Sequence, residues 1–128
     1  MNKQFNRALL IGRWYRGSRG STGDCFNESA EIAEDGSFEF TFISTDDQGK
    51  ELEKVIELGD WGLVGDIHFT MTKSEIIENN HYAADLTDDD NYHAYRVLQL
   101  NSQIFEYQHA VTKEVFILRR VIDNIGHC

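Results

Sequence analysis

The side chains that could do chemistry in this 128-residue chain are five histidines, a run of aspartates and a slight excess of aromatic residues. His68, His81, His93, His109 and His127 lack the ligand spacing of a zinc site. His68 and His109 fall inside predicted strands, where a histidine either meets solvent or a backbone partner or lines a cavity. Acting as a general base would require a carboxylate within hydrogen-bond reach, and nothing in the spacing brings one to any of the five. Asp85, Asp88, Asp89 and Asp90 offer hard oxygen ligands of the kind calcium takes. An EF-hand loop, however, needs Gly at its sixth position and Glu at its twelfth. Counted from Asp85 those positions hold Asp90 and Arg96, and counted from Asp88 they hold His93 and Gln99. The run reads as a solvated loop. There is no Cys-x-x-Cys, no His-Glu-x-x-His, no Gly-x-Ser-x-Gly and no phosphate loop. No catalytic residue, metal site or cofactor is assigned.

The aromatics carry more. Phe38, Phe40, Phe42, Phe69, Tyr95, Phe105, Tyr107 and Phe116 can together form an apolar cup. Strand parity selects Phe40, His68, Tyr95 and Tyr107 as lining residues, with Glu28 and Arg96 as further inward candidates. A single bulge inverts such parity. The two tyrosines favour a cavity over a solid core, because a buried phenol needs a polar partner.

The elements that would position these residues are strands. The chain has no proline and ten glycines, which favours uninterrupted ladders joined by glycine turns. The pattern predicts strands over Leu9 to Arg16, Cys25 to Ala33, Phe38 to Ser44 and Glu51 to Leu58. Further strands are predicted over Trp61 to Lys73, Tyr92 to Leu100, Gln103 to His109 and Glu114 to Ile122. Gly59-Asp60 reads as a turn, with a kink or bulge at Gly62 or Gly65. Ser74 to Asn80 reads as a helical turn or an extension of the strand before it, and His81 to Asn91 as an acidic loop. Short connections make the last strands antiparallel neighbours. Eight strands with hairpin spacing and no long helix imply an all-β fold, an eight-stranded antiparallel up-and-down barrel. Residues 1–128 form one domain of this kind, since the length suits a single core.

Both ends of that series are marked. Gly12-Arg13-Trp14 opens the first strand and Arg120 closes the last, so a closed barrel brings indole and guanidinium together as a stacked floor. Arg120 rather than Arg119 shares a face with Phe116 and Leu118. Gly12-x-Trp14 resembles the Gly-x-Trp of the lipocalins and related calycins. The ending Thr112-Lys113-Glu114-Val115-Phe116-Ile117-Leu118-Arg119-Arg120-Val121 is similar to the terminal strand of small bacterial lipocalin-like domains. Lys113 stands where that pattern has glycine. The resemblance implies a lipocalin-like barrel with Trp14 and Arg120 as its structural floor. It also implies that the first loop, around Gly17, Gly20 and Gly23, is a flap over the mouth.

Composition removes other classes. A net charge of −10, with twelve scattered basic residues, opposes nucleic acid and anionic membrane surfaces. No stretch approaches the ~20 apolar residues of a membrane span, and the apolar run after Arg7 is too short for a secretory signal. The expected location is the cytoplasm, with Cys25 and Cys128 as reduced thiols. The functional expectation is a barrel that binds a small, partly apolar ligand and does no chemistry. One alternative is a filled barrel that forms a homodimer through outer-face residues such as Ile117 and Val121. Another is an isomerase or hydratase using His68 or His93 in the cavity.

Overall fold

In a computed structural model, residues 5–20 and 23–121 are described. Strands β1 (Gly12–Arg19), β2 (Cys25–Ile32), β3 (Ser37–Thr45) and β4 (Glu51–Val64) follow a single helical turn, α1 (Arg7–Leu10). After them come β5 (Ile67–Ile77), β6 (Asn80–Ala83), β7 (Tyr92–Leu100), β8 (Ile104–His109) and β9 (Val115–Arg120). Hydrogen bonding runs β4-β3-β2-β1-β9-β8-β7-β5, and β4 pairs with β5 to close the ring. The result is an eight-stranded antiparallel up-and-down barrel with β6 attached outside it. The lower part of β5 pairs with β7 and its upper part, Ser74 to Ile77, with β6. Closure gives every ring strand a neighbour on both sides, although β1 and β9 share only two residue pairs, Trp14 with Arg120 and Tyr15 with Arg119.

Alternation explains the walls. Phe38, Phe40 and Phe42 on β3 face Ile32, Ala30 and Glu28 across the ladder, all turned inward. Three irregularities interrupt the ladders, the first of them at the end of the β3–β4 pairing, between Ser44 and Thr45. Between Leu58 and Gly59 the β4–β5 register slips, so Thr72 and Glu75 both point inward across from Gly59 and Glu57. Between Val97 and Gln99 the β7–β8 register slips, so Val97 and Leu100 are both buried.

Several sequence expectations need correction. Gly59-Asp60 is not a turn: β4 runs through it to Val64, and the turn is at Gly65, where φ is +63°. Gly59 is required for another reason, since a Cβ there would meet the Met71 carbonyl and the Phe38 ring. Gly62 is a β4 residue lying under the Phe69 ring. Phe69 therefore sits on the outside, 43% exposed, and is no part of a cup. Residues 74–77 extend β5, and the acidic segment contains β6 and a 3-10 turn, Asp89–Asn91. The chain enters β1 through a helical turn rather than a longer strand, with the Asn6 side chain capping Ala8 N–H at 2.9 Å.

The connections fall into two sets. Gly20, residues 23–24 and the connections at 46–50, 78–79, 84–91 and 110–114 gather at one end, and those at 33–36, 65–66 and 101–103 gather at the other with α1. The second end is closed and packed. Trp14, Ile32, Phe38, Trp61, Val97, Leu100, Phe105 and Leu118 fill it. No helix among the described residues is long and apolar enough to cross a membrane.

Candidate functional site

The closed end is built on two arginine–tryptophan stacks. The Arg120 guanidinium lies 4.0 Å from the Trp14 ring centre. It donates to the carbonyls of Ile11 at 2.6 Å, of Ser102 at 3.3 Å and of Leu9. The Trp14 Nε1–H donates to Leu10 at 2.9 Å. The bonds to Leu9, Leu10 and Ile11 satisfy carbonyls that α1 leaves open at its C-terminal end. Arg119 pairs with Tyr15 on the neighbouring strand and takes no part. The second stack was not expected: Arg7 of α1 lies 4.5 Å over Trp61, whose Nε1–H donates to Ala33 at 2.8 Å. Its signal in the sequence was a lone arginine ahead of the first strand.

The other end is hollow. A cavity of about 180 Å³ lies in the upper half of the barrel, walled by Phe40, Phe42, Tyr95, Tyr107 and Phe116. Glu28, Glu57, Thr70, Thr72 and His93 complete its lining. Above it, a hollow of about 290 Å³ shares Phe42 and Glu57 and is bounded by Phe26, Ser44, Glu53 and Val55. The space corresponds to about six waters of liquid volume in the inner cup alone, taking ~30 Å³ for each. That is enough for one compact molecule.

Three of the four residues expected to line a cavity do so: Phe40, Tyr95 and Tyr107. His68 points inward but lower, 2% exposed, among Trp61, Tyr95, Phe105 and Tyr107. Burial holds its pKa down at about 4, a hydrogen bond to the Gly62 backbone only partly opposing this. Its Nδ1 has no partner. Glu28 does turn inward, whereas Arg96 lies outside and pairs with Asp66 at 3.5 Å. Glu57, Thr70 and Thr72 were missed, and His93 was named only as the cavity histidine of the enzyme alternative. His93 carried a signal, since it shares parity with Tyr95; Glu57 sits in a charged stretch that resembles a solvated face.

The polar groups of the cup are unevenly satisfied. Arg16 reaches Glu28 at 3.6 Å and covers the Phe116 ring at 4.8 Å. Burial raises the Glu28 pKa, with Arg16 pulling it back. Glu57 accepts from Thr72 Oγ1 at 3.1 Å, and burial raises its pKa too, with Glu75 adding to the rise. The Tyr95 hydroxyl bonds Thr70, and burial pushes its pKa well up. Tyr107 is only 9% exposed and burial pushes its pKa well up, while the buried side-chain atoms left without a partner are Arg16 Nε and His68 Nδ1.

His93 and His109 meet across the rim, Nδ1 to Nε2, at 3.1 Å. His109 Nδ1 accepts from the backbone N–H groups of Val111 and Thr112 at 3.0 and 3.1 Å. That nitrogen is therefore the bare one, and Nε2 carries the proton that is donated to His93. Burial and the neighbouring His93 lower the His109 pKa, in keeping with a neutral ring.

Among the described residues no group of three or more His, Cys, Asp and Glu is placed to hold a metal ion. Asp85 and Asp88 spend their carboxylates on local turns, accepting from Thr87 and Asp90 N–H. The glycine loop flanks the mouth, with Gly20 N–H bonded to Asp24 at 2.7 Å; Ser21 and Thr22 lie outside the described residues. Ile117 faces outward at 49% exposure, beside Val115 at 44%. Cys25 is not a free thiol, against the expectation of reduced cysteines; Cys128 and His127 lie outside the described residues.

No protein-family model matches the chain, and no curated protein is detectably similar to it. The class rests on geometry: a closed eight-stranded barrel with one packed end and one open, aromatic end.

Proposed function

We propose that the protein is a lipocalin-like carrier or sensor that binds one compact, partly apolar molecule in the open half of its barrel and performs no reaction on it. The observation that carries this is the inner cup, where five aromatic walls face a void of about 180 Å³. A barrel of eight strands is just wide enough either to fill itself or to hold one small ligand. Here the lower half is filled and the upper half is not. Phe40, Tyr95 and Tyr107 supply contact area, and Thr70, Thr72 and Glu57 supply hydrogen-bonding groups that fix orientation.

A screen of single-ring fragments, read by the ring resonances of Tyr95, Tyr107 and Phe116, tests the reading. Fragments that shift those three rings and not Trp14 or Trp61 support it. A set of neutral, cationic and anionic fragments that moves none of them ends it. Thr70→Phe, which places a ring in the cup, should abolish any binding while leaving the strands intact.

A catalytic reading would rest on His93, which lies near enough to Glu57 to influence its charge. It would not rest on His68, on which no carboxylate acts. A cytoplasmic site of action is set against the oxidised state of Cys25, which suits a less reducing compartment.

A further inference from the structure

We infer that the molecule held in the cup is a small organic cation, an amine or amidine on an aromatic or apolar frame, seated with its charge on Glu57. This deepens the binding reading and depends on it.

The argument starts with which charges are already matched. Glu28 has Arg16, whose guanidinium also lies over the face of Phe116 and whose buried Nε has no partner. Glu57 has a hydroxyl from Thr72 and, among the described residues, no lysine or arginine in ion-pair range. The imidazole nearest to it does not fill the gap. His93 receives a proton-bearing nitrogen from His109, whose other nitrogen is occupied by two backbone donors. Protonating His93 at that position would set N–H against N–H. Glu57 thus has no lysine or arginine in ion-pair range among the described residues, His93 acting on it only through space, and Glu75, opposite Glu57 on the next strand, deepens the negative field. A buried carboxylate in such a setting gains most from a ligand that brings its own positive charge.

The walls suit the same ligand. Aromatic faces attract ammonium and guanidinium groups, and the cup already holds one guanidinium over Phe116. Tyr95 and Tyr107 stand at 76° with centres 4.9 Å apart, so the pair offers both a face and an edge. The Tyr107 side chain lines the same cavity, so its hydroxyl oxygen can accept an N–H that Glu57 does not take. At the open end the described connecting loops carry Asp24, Asp46, Asp47, Glu114 and the 85–90 aspartates against Lys50 and Lys113. An acidic rim of this kind draws cations in and turns anions away.

The experiment is a calorimetric titration at neutral pH with three probes of one shape: phenethylamine, which is protonated, phenethyl alcohol and phenylacetate. The amine should bind at least tenfold more tightly than the alcohol, and phenylacetate more weakly than either. Glu57→Gln should remove the preference for the amine and leave the affinity for the alcohol. If the variant fails to fold, the wild-type pH series decides. Amine affinity should fall as acid protonates Glu57, while a site that prefers anions would gain. Alcohol binding as well as amine, or phenylacetate binding best, overturns the cation and leaves the binding cup standing. No binding by any of the three, with the Tyr95 and Tyr107 rings unmoved, overturns both.

Discussion

The Arg120 guanidinium fills the place where a Cβ on Gly12 would stand, and Gly12 itself holds φ at +134°. The glycine and the arginine, at opposite ends of the barrel's chain path, are parts of one device. Gly12→Ala adds a side chain in a backbone region few residues adopt and pushes the guanidinium off Trp14. The expected loss is about 2–4 kcal/mol. In Arg120→Ala the clash disappears, so the double variant should cost about 1 kcal/mol less than the sum of the two single changes. Urea unfolding of the four proteins measures this, and strictly additive losses would show that the two residues do not meet.

Trp14 is fully buried and packs against Phe105 with ring centres 5.6 Å apart. Trp14→Ala should destabilise by about 3–5 kcal/mol through the cavity it leaves. Trp14→Phe keeps much of the volume and loses the bond to Leu10, so it should cost less, about 1–3 kcal/mol. An alanine variant as stable as the parent in thermal unfolding would contradict a packed floor.

His68 makes stability depend on acid. Unfolded, it takes a proton near its ordinary value of 6.5; folded, it does so at about 4. Between those values the unfolded chain holds the extra proton, so stability is full above 6.5 and is lost as pH falls toward 4. The loss amounts to roughly 3 kcal/mol. Glu28 and Glu57, whose folded pKa values are raised, act in the opposite sense: their contribution weakens as pH rises through those values. They are common to the parent and to His68→Phe. The stability difference between the two should therefore narrow or reverse in favour of the variant from pH 6.5 to 4. Parallel stability curves would show that His68 is not buried as a neutral ring.

Lys113 holds φ at +67°, the left-handed region, in the connection from β8 to β9. Its N–H bonds the His109 carbonyl at 3.1 Å, which locks the conformation. Lys113→Gly should stabilise by about 0.5–1 kcal/mol, the relief of left-handed strain exceeding the extra freedom of the unfolded chain. Lys113→Val should destabilise instead. A glycine variant with a lower midpoint in urea would refute this account.

Much of the architecture was legible. Strand β3 shows its inward face as Phe38, Phe40 and Phe42, and β7 and β8 show theirs as Tyr95, Phe105 and Tyr107. Those alternations sufficed to place three of the cup's aromatic residues. They failed where an inner position is polar. Glu57 and Thr72 break no pattern, because charged and hydroxyl residues on a strand ordinarily face solvent. Their inward direction follows from plain alternation, Glu57 with Gly59 and Trp61 on β4 and Thr72 with His68 and Thr70 on β5, once β4 runs through Gly59 instead of turning there.

Sequence by itself determined the number of ring strands, their antiparallel order and the meeting of Trp14 with Arg120. Periodicity and turn chemistry are local, and up-and-down connectivity leaves few ways to close. Tertiary structure alone decided how deep the core reaches. It sealed His68 below the cup, brought Arg7 over Trp61, and left Tyr107 and Glu57 facing a void. Those outcomes depend on side-chain volumes summed across eight strands and on which strands run on past an apparent turn, quantities that no single segment carries.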